Sequence, residues 1–264
     1  MQKYDLKDTT FIIPLRIDSI DRLENLQFTI KYLLKHFNTN TIIWEADIRS
    51  RLGFIKPLPR GIRHIFHEDY DTIFYRTKFI NKVVQIVNTP FIAVWDADVI
   101  APKEQIISSV EYLRNEKADF VYPFTDKMLN VPSCVKNIYA KQTDISILKR
   151  FESAYSEMYG PKCVGGGFFA NREKYIEAGM ENENFYGWGI EDGERIRRWT
   201  RLDYKIERIE GVLFHFDHSR GINSTIHNFD QSSIKIRELN RINIIPKDIL
   251  KQEIKSWRIN YEHD

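Results

Sequence analysis

The stretch Phe91-Ile92-Ala93-Val94-Trp95-Asp96-Ala97-Asp98 sets five unbroken apolar residues directly before two carboxylates. An apolar run without polar alternation suits a central parallel strand covered on both faces. Carboxylates at the end of such a strand face the crevice where open α/β sheets bind ligands. Two of them, one residue apart, can hold a divalent ion against a diphosphate, whose charge the ion neutralises without proton transfer. Acidic pairs are also common in solvated turns; the buried strand before this one singles it out.

Working outward towards the N-terminus, Thr9–Arg16 reads as a first strand with Pro14 near its end. Asp18 or Ser19 caps a helix running to about Phe37. Thr41–Trp44 and Ile62–Phe66 read as further strands, and Tyr75–Asn88 is helical by its apolar spacing at Ile80, Val83, Val84 and Val87. On the other side, Pro102 opens a helix to about Asn115, and Phe120–Phe124 is a strand. The alternation predicts an α/β fold with a mixed, mainly parallel sheet flanked by helices. Lys127–Pro161 is ambiguous. Beyond it, Asn171–Ala178 reads as a short helix ended by Gly179, Glu191–Trp199 as a helix, and Lys205–Phe216 as a strand or hairpin. The tail after Gly221 carries one or two helices interrupted at Pro246.

The chain of 264 residues is 42% hydrophobic, enough for one large domain or one domain with a small lobe. A net charge of +2 gives no global electrostatic case for nucleic-acid binding. Two cysteines, Cys134 and Cys163, make no disulfide framework. The polar start at Met1–Thr10 is unlike a signal peptide, and no apolar run reaches membrane-span length, so a cytoplasmic location is expected.

Three more constellations carry chemistry. His215 and His218 stand in Phe214-His215-Phe216-Asp217-His218-Ser219-Arg220. Two imidazoles, a carboxylate and diphosphate oxygens make a mixed set suited to Mn²⁺, with Mg²⁺ the alternative ion. A satisfied core histidine and a surface histidine are the competing reading. In Gly187-Trp188-Gly189-Ile190-Glu191-Asp192, glycines allow a mobile loop and the indole offers a flat face to a sugar ring. Glu191 and Asp192 fall at a helix N-terminus, where the dipole favours an ionised carboxylate able to act as general base; plain helix capping is the alternative. Gly165-Gly166-Gly167 before Phe168-Phe169 lets backbone approach a ligand closely, or forms a structural tight turn.

Taken in order, these segments resemble the GT-A fold inverting galactosyltransferase superfamily: the animal beta-1,4-galactosyltransferases and the related domains of bacterial chondroitin polymerase. The resemblance runs from about Phe11 to Arg220. Pro14-Leu15-Arg16 is similar to the Pro-Phe-Arg of the family's nucleotide site, which implies that Arg16 contacts UDP. Phe74-Tyr75-Arg76-Thr77-Lys78 with Asn81 resembles F-x-R-x-K-x-x-N, implying Phe74 near the uracil and Arg76 near the nucleotide. Trp95-Asp96-Ala97-Asp98 resembles the D-x-D, with Asp96 substrate-binding and Asp98 the metal ligand. Val164-Gly165-Gly166 resembles the segment facing the donor sugar. Tyr186–Asp192 resembles W-G-W-G-G-E-D, implying Asp192 as general base, Glu191 as acceptor ligand and Trp188 closing over the substrates. His215–Arg220 resembles M-x-x-H-S-R, implying His215 and His218 as metal ligands.

Two departures bear on specificity. His215 replaces the family's methionine, which leaves a nitrogen and oxygen ligand set. Cys163 stands where the family sorts galactose from its N-acetylated form, often with Tyr, and the smaller side chain predicts acceptance of UDP-N-acetylgalactosamine alongside UDP-galactose. The expected organisation is one GT-A domain over residues 1–220, with a nucleotide-binding half of about 1–100 and an acceptor-side half of about 101–220. A helical tail over 221–264 follows. The expected reaction is inverting, Mn²⁺-dependent transfer to a saccharide acceptor in bacterial capsule or surface polysaccharide synthesis. The loop Asn182–Gly189 is expected to order when donor binds. Lys247, Lys251, Lys255 and Arg258 suggest either a solvated helix face or contact with an anionic membrane carrying a lipid-linked acceptor. Alternatives are a retaining transferase, which the Glu191-Asp192 pair disfavours, and a non-catalytic sugar-nucleotide or glycan-binding protein, which the intact carboxylates disfavour.

Overall fold

The computed structural model describes residues 2–54, 58–125, 127–160, 163–225 and 229–259, with backbone alone for Phe54, Arg258 and Ile259. In chain order the first half comprises β1 (Tyr4–Leu15), α1 (Ile20–His36), β2 (Phe37–Asp47), β3 (Ile62–Glu68), α2 (Arg76–Ile86), β4 (Phe91–Trp95), β5 (Val99–Ile100) and α3 (Lys103–Arg114). Then come β6 (Phe120–Tyr122), β7 (Met128–Val131), α4 (Ser133–Gln142), α5 (Ile145–Arg150), β8 (Ser156–Met158), β9 (Gly167–Asn171) and α6 (Arg172–Glu177). The chain continues with α7 (Glu191–Arg201), β10 (Ile206–Arg208), β11 (Leu213–Phe216), α8 (Phe229–Ile244) and α9 (Lys247–Ile259).

A seven-stranded sheet has the order β10-β6-β9-β4-β1-β2-β3. Its pairs are parallel except where β9 lies antiparallel between β4 and β6. This is the mixed, mainly parallel α/β sheet expected, with Phe91–Trp95 at its centre and Ile92–Trp95 fully buried. Ser19 caps α1, accepting from the Arg22 amide, and Asn171 caps α6. The strands β1 and β2 are longer than their β-branched cores predict, because they pair with each other over most of their length.

The segment Lys205–Phe216 is neither one strand nor a hairpin. Its first part, β10, joins the edge of the large sheet beside β6, whereas β11 belongs to a second sheet of order β5-β11-β7-β8. The ambiguous Lys127–Pro161 supplies β7 and β8 of that sheet and the helices α4 and α5 between them; Pro161 itself lies outside the described residues. The helices α8 and α9 pack through Ile242, Leu250 and Ile254 against Leu202, Ile245 and Trp257. Of the tail's basic residues, Lys247 bonds Asp203, Lys251 and Lys255 are exposed, and the Arg258 side chain lies outside the described ones. Among the described residues, no helix is long and apolar enough to cross a membrane.

One core cluster positions the chemistry. Trp199 of α7 is fully buried and stacks on Phe120 of β6, with ring centroids 3.7 Å apart. Phe168 meets it edge-on at 5.2 Å. Burying an aromatic ring is worth roughly 2–3 kcal/mol, and here it pins α7 so that its first turn reaches the carboxyl edge of the sheet.

Candidate active site

The D-x-D turn is built by its neighbours. The Trp95 indole donates to the Val99 carbonyl (3.1 Å), closing the chain back over Asp96–Asp98. Thr29 of α1 donates to the Ala97 carbonyl (3.0 Å). The Asp96 amide donates to the Gly166 carbonyl (2.8 Å), which joins this turn to the glycine segment before β9.

Asp98, His215 and His218 converge, their ligand atoms all within 4.8 Å of one another. His218 Nε2 lies 3.3 Å from Asp98 Oδ2, and His215 Nε2 lies 3.7 Å from Asp98 Oδ1. The opposite ring nitrogens are both engaged. His218 Nδ1 donates to the Ser219 carbonyl (2.8 Å), and His215 Nδ1 faces Asn130 Oδ1 (3.2 Å), whose amide group in turn donates to Asp217 (3.4 Å). A proton on each Nδ1 leaves each Nε2 lone pair aimed at the Asp98 carboxylate, the arrangement that orients metal-bound histidines. The donor set fits a divalent transition ion. Burial alone would raise the Asp98 carboxyl, but His215, His218 and Arg22 hold it well below the usual carboxylate range. Burial pushes the His215 imidazole down. His218 is raised, its desolvation outweighed by the bond to Asp98.

The other expected residues gather round the same cleft: Arg16, Phe74, Arg76, Asp96, Gly165, Gly166, Trp188, Glu191 and Asp192 all line it with Asp98, His215 and His218. Arg76 Nη2 donates to Asp96 Oδ1 (2.7 Å), while its Nη1 is buried with no partner. Arg16 has its Nε, Nη1 and Nη2 donated to the Ala46 carbonyl, the Asp71 carbonyl and Asp69, and its guanidinium sits 5.6 Å from the Phe74 ring centroid. It therefore braces the wall that carries Phe74. Gly166 adopts φ +82, and a Cβ there would lie 2.6 Å from Leu213 and 2.7 Å from Met128. A Cβ on Gly165 would lie 3.1 Å from Asp192 Oδ2, so the glycine segment and that carboxylate face each other directly.

Glu191 and Asp192 open α7 behind Ile190, whose φ of +77 is an outlier for a β-branched residue and costs of order 1–3 kcal/mol. Burial and the neighbouring Asp192 charge, partly offset by Arg76, raise the Glu191 carboxyl to about 7. Its Oε2 is buried without a partner. The loop before it is only partly free. Asn182 and Phe185 are buried, Asn182 donates to Glu238 of α8 (2.8 Å), and Thr77 holds the Phe185 carbonyl (3.2 Å). Gly187 is buried as well, and the Trp188 carbonyl accepts from Lys235 (2.7 Å).

Several residues of the site carried no signal in the sequence. Arg22 of α1 bonds Asp18 and Ser224 and places Nη1 3.7 Å from Asp98. Lys235 of α8 is buried and donates to the Trp188 carbonyl (2.7 Å). Tyr159 lines the cleft beside Trp188, their ring centroids 6.5 Å apart, with Arg220 donating to its hydroxyl (3.0 Å). Arg195 had a readable spacing, three residues beyond Asp192 on one helix face.

A family model described as the N-terminal domain of galactosyltransferase matches residues 147–220, the segment from α5 through both histidines. Among curated proteins no sequence match is found. Among solved structures, the catalytic domain of Drosophila beta1,4galactosyltransferase 7 in complex with xylobiose is similar at TM-score 0.56 and 14% identity, over 86% of this chain and 79% of that one. Glucosyl-3-phosphoglycerate synthase from Mycobacterium tuberculosis, in complex with Mn²⁺, uridine diphosphate and phosphoglyceric acid, is similar at TM-score 0.53 and 14% identity, over 90% of this chain and 79% of that one. GalNAc-T7 with UDP, GalNAc and Mn²⁺ is similar at TM-score 0.63 and 12% identity, over 96% of this chain and 55% of that one. At such identities the likeness is one of fold. The chain thus has the fold of GT-A glycosyltransferases, and its residues 147–220 match the galactosyltransferase model.

Proposed function

We propose that the chain transfers galactose or N-acetylgalactosamine from a UDP-sugar to a saccharide hydroxyl by single displacement, with Mn²⁺ as the preferred ion. One observation carries the reading: Asp98, His215 and His218 converge in the same cleft that Asp192 enters from across the Gly165-Gly166 turn. Mn²⁺ and UDP accompany two of the similar structures, which supports the choice of ion and nucleotide. Held by Asp98, His215 and His218, the ion would neutralise charge on the departing diphosphate.

The chain's own residues do the rest. Arg76 offers its unpaired Nη1 to the nucleotide, and Phe74 gives the base an apolar wall. The donor sugar lies against Gly165 and Gly166, where no side chain intervenes. Cys163, buried beside that turn, leaves room for an acetamido group. Trp188 covers the rings, and Glu191 holds an acceptor hydroxyl with its unpaired oxygen. Asp192 takes the proton of the attacking hydroxyl as general base. Attack opposite the leaving UDP inverts an α-linked donor to a β-glycoside. A saccharide acceptor of a bacterial capsule or surface polysaccharide is the setting such a reaction serves.

The test is UDP release measured across UDP-sugars with a panel of saccharide acceptors and Mn²⁺, followed by NMR of the product anomer. A β-linked product supports single displacement. An α-linked product means a retaining transferase, and binding of UDP-sugars without turnover means a non-catalytic protein.

A further inference from the structure

A carboxylate on the first turn of a helix can swing through several rotamers, and a general base needs only one of them. Asp192 is held in one by Arg195, a residue the mechanism above does not use. The Arg195 guanidinium is almost wholly buried, with a side-chain exposure of 1%. Its Nη1 donates to both oxygens of Glu181 at 3.0 Å, and Nη2 donates to Asp192 Oδ1 at 2.5 Å. The guanidinium plane lies over the Phe168 ring at 4.3 Å. Glu181 is itself fixed: Tyr175 donates to it at 2.6 Å, and its amide donates to Asn81 at 2.9 Å. Nη2 also stands 3.5 Å from the Val164 carbonyl, next to the glycine turn. Oδ1 of Asp192 is thus committed to Arg195, while Oδ2 is the oxygen facing Gly165.

We propose that Arg195 is the positioning residue of the transfer reaction, clamped by Glu181 so that it fixes the Asp192 carboxylate and leaves Oδ2 as the proton-accepting oxygen. The inference rests on Asp192 being the base. A planar guanidinium bonded on two sides sets direction as well as charge, which an ammonium does not. A base displaced by about 1 Å loses on the order of 10²-fold in rate.

The charged and titratable groups facing Asp192 are Arg195 and Glu191 on α7, Arg76 on α2, Asp96 after β4, Tyr122 on β6 and Cys163 before the glycine turn. Removing Arg195 takes away the donor that fixes Oδ1, so the carboxylate is free to turn away from the acceptor.

The experiment compares Arg195→Lys, the double variant Arg195→Met with Glu181→Gln, and Asp192→Asn. The double variant removes both buried charges together, so neither is stranded. The measurements are kcat, donor KM, and binding of UDP with Mn²⁺ by calorimetry. The expected result for the double variant is a kcat lowered about 10²-fold, with donor KM and UDP binding unchanged; Arg195→Lys recovers part of the rate. A double variant with wild-type kcat overturns the proposal, as does a loss matched by equal loss of UDP binding. If Asp192→Asn is inactive in either of those cases, this inference alone fails. If Asp192→Asn keeps its rate, the base assignment fails first.

Discussion

Glu191→Gln is expected to stabilise the protein while damaging its chemistry. The Glu191 side chain is buried, its Oε2 has no partner, and the charge of Asp192 lies beside it. Desolvation first, and Asp192 second, raise its carboxyl to about 7, with Arg76 offsetting part of the effect. In the unfolded chain the same group titrates near 4.5. The folded chain therefore keeps a proton that the unfolded chain has already released. Its contribution to stability is complete below about pH 4.5 and is lost as pH climbs through about 7. At about 1.4 kcal/mol per pH unit, the penalty above pH 7 amounts to about 3 kcal/mol. Glutamine fills the same space without ever ionising, so the variant escapes that penalty. For a chain of this size about 3 kcal/mol raises the melting temperature by roughly 6–12 °C. The assay is urea denaturation of both proteins, without nucleotide or metal, from pH 5 to pH 8.5. Wild-type stability should fall across the range and the variant's should stay flatter, with the two curves parting as pH rises. A variant no more stable than wild type at pH 8 would refute the account, because it would mean that the carboxylate is not being ionised against burial. Transfer by the same variant should fall, since the acceptor hydroxyl loses its ionised partner.

Three further outcomes follow from the site. Asp192→Asn should lower kcat by at least about 10²-fold while UDP still binds with Mn²⁺; calorimetry and UDP-release rates on one preparation check both halves. His218→Ala should abolish the Mn²⁺-dependence of UDP binding, because His215 and Asp98 alone leave the ion two protein ligands; titrating UDP with and without Mn²⁺ reads this directly. Cys163→Tyr should shift preference from UDP-N-acetylgalactosamine towards UDP-galactose, as the larger ring fills the space beside the glycine turn; the ratio of initial rates with the two donors is the measure, and an unchanged ratio removes Cys163 from donor selection.

The large sheet was legible because its central strands carry their own signal. Phe91–Trp95 is apolar at every position, and burial on both faces is the only environment that tolerates such a run. The small sheet was not, because its strands are two to four residues long and pair across distant parts of the chain. Periodicity finds apolar residues in Lys205–Phe216 but cannot divide them between two sheets. At the site, the convergence of Asp98, His215 and His218 was implied by the resemblance of their motifs, and β11 achieves it by pairing His215 with Val99, next to Asp98. Arg195 escaped notice because its meaning depends on Glu181, which lies outside its helix. Lys235 and Arg22 act on a backbone carbonyl and a distant carboxylate, relations that one-dimensional patterns do not contain.

Because β9 runs opposite to its neighbours, its first residues, not its last, arrive at the carboxyl edge of β4. The amide of Asp96 is tied to the carbonyl of Gly166, so the wall that would touch the sugar and the turn that would anchor the ion are one stiff corner. Lengthening the glycine segment to admit a bulkier donor would drag the carboxylates with it. Changes in sugar choice are therefore best sought in side chains such as Cys163 and Met128, which border the corner without forming its hinge.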